Sequence, residues 1–211
     1  MRAIGYGAAA TTAAALAAAG VLYGQAGLAR REIPRAEAPP PPGDGRYGTK
    51  FGGEPITLVM LGDSTAAGYG VRRPRETPGA LLATGISRRL RRPVDLRRLA
   101  VPGATSDRLW HQVEAALELH PDLAVILIGA NDVTHRASVD AAVRHLVRAV
   151  RALRAAGAQV VVGTCPDLGT VRPIAQPLRW VTRRWSRRLA AAQTVAVVAE
   201  GGRTVAFADL L

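Results

Sequence analysis

Nothing in this chain limits its fold more than a repeated alternation. Short runs of apolar residues are followed by turns of small polar residues, then by stretches whose apolar side chains recur at helical spacing. LAVILIG (123–129) is apolar throughout, and ITLVMLG (56–62) is broken only by Thr57. Neither run alternates as a strand with one wet face does, so both read as strands covered on both sides. VDLRRLA (94–100) is a further strand, nearer an edge because of its arginines; QVVVGT (159–164) and TVAFADL (204–210) complete the set. Helices are expected between them at 79–91, 106–119, 139–156 and 178–199. Ser106 is a candidate cap of the second, whose Leu109, Val113, Ala116 and Leu117 share a face, and Gly157 closes the third. Strands and helices alternating at this spacing build a parallel sheet with helices on both faces and right-handed crossovers. The fold class is α/β.

Two segments precede this pattern. Residues 3–29 carry no charge between Arg2 and Arg30–Arg31, long enough for a helix that crosses a bilayer, which needs about 20 apolar residues. The run is mostly Ala, Gly and Thr, so a cleaved signal segment and a surface-lying helix are its rivals. The expectation taken is an uncleaved, membrane-associated anchor over 1–31. Arg30, Arg31 and Arg35 outnumber Arg2, which leaves the side of the membrane open. Residues 32–50, with four successive prolines and a Gly-rich end, read as a linker. The folded domain is expected over 51–211.

Charge and composition narrow the chemistry. The formal net charge is +12, with 28 basic residues against 16 acidic ones. Lys50 is the only lysine, and the arginines are spread over several helices without interleaved aromatics on which bases could stack. This argues against nucleic acid and for a generally basic surface. Aromatics make up 4% of the chain, so the core must come from Ala, Val, Leu and Ile. Cys165 stands alone, which excludes an internal disulfide and a zinc site built on a cysteine cluster; no metal or other cofactor is expected. Cys165 itself reads as a small packing residue.

Open parallel sheets place their active sites outside the carboxyl ends of the strands. Here those ends carry Gly62-Asp63-Ser64, Val101-Pro102-Gly103-Ala104-Thr105 and Gly129-Ala130-Asn131-Asp132. Taken singly, each is ordinary turn or capping chemistry. Together they put a hydroxyl, a glycine able to adopt positive φ and a side-chain amide on one rim. Acyl transfer needs that set: a nucleophile, and donors aimed at the oxyanion of the tetrahedral intermediate. The amide of Ser64, the amide of Gly103 and the side chain of Asn131 are the candidate donors. Thr164-Cys165-Pro166-Asp167 lies on the same rim, and 169–177 reads as a mobile loop over the site.

GDSTAAGYG (62–70), VPGATSDRL (101–109) and GANDVTH (129–135) resemble the first, second and third blocks of the SGNH/GDSL hydrolases, with Thr65 where the name-giving leucine stands. The resemblance spans roughly residues 55–211. It implies a flavodoxin-like three-layer α/β/α sandwich and cofactor-free hydrolysis of a small-molecule or lipid ester. Ser64 would be the nucleophile; the Ser64 amide, Gly103 and Asn131 would form the oxyanion hole, with Asp63 and Asp132 in support. The family's fifth block, Asp-x-x-His, has no counterpart. Asp132-Val-Thr-His135 spells it formally but overlaps the third block, and His111, His120 and His145 fall in or at the ends of helices. The expectation is therefore a sequence truncated before its base, with the His and Asp beyond residue 211 and the chain as given inactive. The alternatives are a catalytically silent, membrane-attached binding module and a mechanism that uses His135. Oligomeric state is not readable.

Overall fold

The computed structural model describes residues 3–32 and 38–207. The alternation becomes a six-stranded sheet of β1 (Gly45–Tyr47), β2 (Ile56–Gly62), β3 (Val94–Arg98), β4 (Leu123–Leu127), β5 (Gln159–Gly163) and β6 (Arg203–Val205), in the order β1-β3-β2-β4-β5-β6. All neighbours are parallel except β1 and β3. Counting the parallel strands alone, the order is the 2-1-3-4-5 of flavodoxin-like sheets, and the winding reverses between β2 and β4. The expected α/β class and layer arrangement are what the chain adopts.

Pleating divides the apolar runs between two cores. Val59, Leu61, Ile126, Val160 and Val162 pack against Leu109 and Val113 of α4 (Leu109–Leu117), Leu146, Val150 and Leu153 of α6 (Val139–Ala155), and Val197 of α7 (Leu178–Ala199). On the opposite face Leu58, Met60 and Leu96 meet Ala66 of α2 (Ser64–Ala67) and Ala83 of α3 (Pro78–Leu90). Among the described residues, no aromatic side chain is fully buried. Small residues let the helices sit close instead. At Gly79 of α3, a Cβ would lie 3.0 Å from Met60 and 3.1 Å from Leu96.

Helix ends follow local chemistry. Ser138 caps α6 by accepting the Ala141 N–H at 3.1 Å. The helix closes through Gly157 (φ 91°), with Gly157 N–H donating to Arg154 O at 3.0 Å and Ala158 N–H to Leu153 O at 3.1 Å. This pair of bonds is the glycine-closed helix end that the sequence predicts. Ser106 behaves otherwise. Residues 106–108 form a 3-10 turn before α4, and Ser106 is buried with its hydroxyl turned to Asp132.

The beginning and end of the pattern need correction. Gly45–Tyr47, read as linker, form an antiparallel edge strand, because Arg46 lies opposite Asp95 and grips it through two bonds of 2.7 Å. The last strand spans Arg203–Val205 and has ended by Phe207; residues 208–211 of the expected strand lie outside the described residues. The N-terminal segment forms helix α1 (Ala3–Glu32). Among the described residues, however, no helix is long and apolar enough to cross a membrane.

By contacts the chain divides into a unit of Met1–Arg35 with Leu168–Arg184 and a unit of Ala36–Asp167 with Trp185–Leu211. Within the first, Gln25 accepts the Leu178 N–H at 3.0 Å and donates to the Gln176 carbonyl. Arg179 fastens the expected loop through the Ile174 and Arg172 carbonyls, each at 2.7 Å.

Truncating Leu58, which is fully buried, to Ala should cost about 2–5 kcal/mol in urea unfolding. Leu81→Ala, at a position 61% exposed on the outer face of α3, should stay within about 0.5 kcal/mol of wild type.

Candidate active site

The site is assembled where β2, β3 and β4 end. Gly62 closes β2 at φ 128°, and a Cβ there would lie 1.9 Å from the Leu127 carbonyl oxygen of β4. Only glycine allows the two strands to meet in this way. The chain then turns, with the Asp63 N–H donating to Leu127 O at 3.1 Å. The Asp63 carboxylate caps α2 by accepting the Thr65 N–H at 2.8 Å. Ser64 is thus the first residue of the helix, half-buried, and is not its cap. Gly68, at φ 82°, closes the short helix.

Hydrogen bonds bind the second and third segments to the first. Val101 N–H donates to Gly62 O at 3.0 Å, and the turn that follows carries Gly103 at φ 81°, the positive value expected of it. Asn131, in α5 (Ala130–Thr134), donates through Nδ2 to Ala104 O at 3.0 Å. Its neighbour Asp132 accepts from the Ser106 N–H at 3.0 Å and from the Ser106 hydroxyl at 2.9 Å. Among the described residues, the N–H groups of Ser64 and Gly103 and the second Nδ2 hydrogen of Asn131 have no protein acceptor.

Burial sets the electrostatics. Asp63 and Asp132 are each 2% exposed. Burial lifts the Asp63 carboxyl above its ordinary value; the bonds from Thr65 oppose this and the charge of Asp132 adds to it. Burial likewise lifts Asp132, opposed by both bonds from Ser106. Cys165 follows β5 with no exposed surface. Burial first, then Asp132, Asp63 and Asp167, push its thiol up to about 12. It is a protonated packing group at neutral pH, as the sequence reading expects. Asp167, also on this rim, pairs with Arg187 at 2.8 Å.

Two hollows flank the turn. One of about 230 Å³ is lined by Ser64, Gly68, Tyr69, Val71 and Glu76. The other, about 420 Å³ and mostly apolar, is lined by Asp63, Thr65, Leu127, Ile128, Pro166 and Phe207. The histidines are dispersed. His111 is exposed on α4 beside Glu114, and His120 precedes β4 at the opposite rim of the sheet. His145 is exposed on α6. His135 ends α5 with Nδ1 2.9 Å from Asn131 O. Among the described residues, no cluster of His, Cys, Asp or Glu is placed to hold a metal ion.

Sequence reading took Ser106 for a helix cap and passed over two buried glutamines that shape this rim, Gln112 of α4 and Gln193 of α7. Gln193 accepts the Cys165 N–H at 2.8 Å and donates to Ile128 O at 3.1 Å. A glutamine flanked by the alanines of an amphipathic helix is a signal that could have marked it.

Comparison with known proteins bears on this geometry. The profile of the GDSL-like lipase/acylhydrolase family matches residues 60–211. A GDSL-like esterase of Mycobacterium tuberculosis is 43% identical over 215 residues, covering 96% of this chain and 68% of that protein. Among solved structures, an SGNH-hydrolase family esterase superposes with a TM-score of 0.60 at 20% identity, over 75% of this chain and 80% of its own. A psychrotrophic esterase from Pseudoalteromonas gives 0.57 at 22% identity, over 72% and 76%. These structural likenesses concern the fold.

Two tests follow from the electrostatics. The raised carboxyls contribute stability that is fully present below the ordinary value of 3.8 and is lost as pH rises through the higher native values. Asp63→Asn keeps the acceptor for Thr65 and removes one charge. Its unfolding free energy relative to wild type should therefore improve progressively from about pH 3.5 to about pH 7 in urea titrations. Cys165 should react with a disulfide reagent at pH 8 at least about 100-fold more slowly in the native protein than in urea.

Proposed function

The chain belongs to the GDSL-like lipase/acylhydrolase family, whose chemistry is ester hydrolysis, and we propose that it works through an acyl-serine intermediate formed on Ser64. The observation that carries this reading is the state of the rim. Asp63 takes over the capping of α2, so Ser64 stands at the turn while the N–H groups of Ser64 and Gly103 and the second Nδ2 hydrogen of Asn131 stay uncommitted. In the reaction, Ser64 Oγ attacks the ester carbonyl and passes its proton to a base. The carbonyl oxygen becomes an oxyanion received by those three donors. Collapse breaks the ester C–O bond and expels the alcohol, which takes up the base's proton. Water then attacks the acyl-serine, giving its proton to the base, and the second collapse releases the acid and returns that proton to Ser64 Oγ. The substrate class is a small-molecule or lipid ester, and no step calls for a cofactor.

The base is the remaining part. His120 lies at the wrong rim, His111 and His145 face solvent from helices, and His135 is turned back on its own helix. These positions support a base that is none of the four, supplied with its Asp from sequence outside residues 1–211.

An organophosphonate serine probe and a short-chain p-nitrophenyl ester, applied to the whole gene product, test the reading. Ser64→Ala should abolish labelling and lower kcat by about 10⁴-fold or more. Asn131→Ala should lower kcat by about 10²- to 10³-fold. Replacing each of the four histidines by Gln should leave turnover within about threefold of wild type, since none is the base; a collapse in His135→Gln would move the base into this segment. A wild-type protein that neither labels nor turns over ester would point instead to a binding module.

A further inference from the structure

Helix α4 sends one polar side chain where its amphipathic spacing would place an apolar one. Gln112, beside Val113, is 4% exposed. Its Oε1 accepts the Gly62 N–H at 2.7 Å, and its Nε2 donates to the Gly62 carbonyl at 3.0 Å. The reason lies in the sheet. Pairing between β2 and β3 ends at Met60 and Arg98, two residues before Gly62. Beyond that point the segment after β3 still supplies a donor, the Val101 N–H to Gly62 O at 3.0 Å, but its backbone supplies no acceptor for the Gly62 N–H. A primary amide offers one acceptor and one donor, as a strand neighbour does. Gln112 therefore replaces the strand that has turned away.

Gly62 immediately precedes Asp63 and Ser64, and its φ of 128° gives the backbone little intrinsic hold on its conformation. We infer that Gln112 is the positioning residue of the nucleophile turn, setting where Ser64 stands by clamping both backbone groups of Gly62. It touches no substrate in this role. The inference rests on the acyl-serine reading for its kinetic consequence. Displacing a reacting group by about 1 Å can cost about 100-fold in rate.

Gln112→Glu is the decisive variant, because a protonated carboxyl reproduces the amide's acceptor and donor while a carboxylate has no donor and opposes the Gly62 carbonyl. The kcat ratio of Gln112→Glu to wild type should be near one at about pH 5 and fall at least about tenfold by about pH 8, with KM within about twofold. Gln112→Leu should lose about 100-fold in kcat at every pH, without that trend. Amide hydrogen exchange gives a second readout that needs no turnover. In Gln112→Leu, exchange should quicken at least about tenfold over 62–69 while 123–127 keeps wild-type protection. A flat kcat ratio near one, or exchange that quickens equally across the sheet, would overturn the inference. Ser64→Ala, run in parallel, separates the failures: undiminished turnover there would sink the nucleophile reading, while the exchange pattern would still decide whether Gln112 holds the turn.

Discussion

The backbone contact between Gly62 and Leu127 is the constraint around which the rest of this molecule is arranged. A parallel sheet must bring β2 and β4 side by side where the winding reverses, and at their carboxyl ends the two chains approach until no side chain fits between them. The Leu127 carbonyl then receives the Asp63 N–H, which aims the next residue, Ser64, out of the sheet. Everything else on the rim reaches back to this contact. The segment after β3 bonds to Gly62 through Val101, α4 bonds to it through Gln112, and the segment after β4 returns to the second through Asn131 and Asp132. The members of this rim satisfy one another's backbone groups where the sheet no longer can.

Polar satisfaction of this kind also explains what the amino-acid sequence reveals and what it hides. LAVILIG and ITLVMLG declare themselves because burial on both faces needs apolar residues at every position, and period-free runs are rare outside such strands. Gly157 declares itself because few residues accept the backbone of a helix end. The three rim segments are readable for the same reason: turns after buried strands use few residue types. Gly45–Tyr47 is hidden, since three residues containing Gly and Arg have no strand character until Asp95 is opposite Arg46. Ser106 misleads because a hydroxyl before a helix satisfies two descriptions, cap or buried partner, and only the position of Asp132 in space decides between them.

Gln112 and Gln193 form a distinct class. Each lies on the buried face of a helix, where a glutamine looks like an error in the hydrophobic pattern. Each bonds with both ends of its amide to main chain at the end of a strand, Gln112 to Gly62 and Gln193 to Cys165 and Ile128. A leucine would pack as well, but it would leave the Gly62 N–H, or the Cys165 N–H and the Ile128 carbonyl, without these partners, which costs about 1–3 kcal/mol for each buried group. The breaks in amphipathicity thus mark where strands stop pairing and backbone must be held by other means. That is also where a parallel sheet builds its site.

The charges on the rim sharpen the argument for a hydroxyl nucleophile. Two buried carboxyls, Asp63 and Asp132, lie close enough to influence each other, and together with Asp167 they help to hold the neighbouring Cys165 thiol protonated. Any anion formed here meets the same field. A thiolate would have to exist before the reaction starts and would bear that repulsion in the ground state. A serine hydroxyl stays neutral until attack, so on the acyl-serine reading negative charge arises only on the carbonyl oxygen, where the amides of Ser64 and Gly103 and the side chain of Asn131 can receive it. The carboxyls, for their part, are spent on structure: Asp63 caps the helix that Ser64 begins, and Asp132 fastens Ser106. Their cost in desolvation is offset by donors that would otherwise be buried unpaired. On the acyl-serine reading, the carboxyls are thus held by fixed donors, while unpaired donors remain where the oxyanion would form.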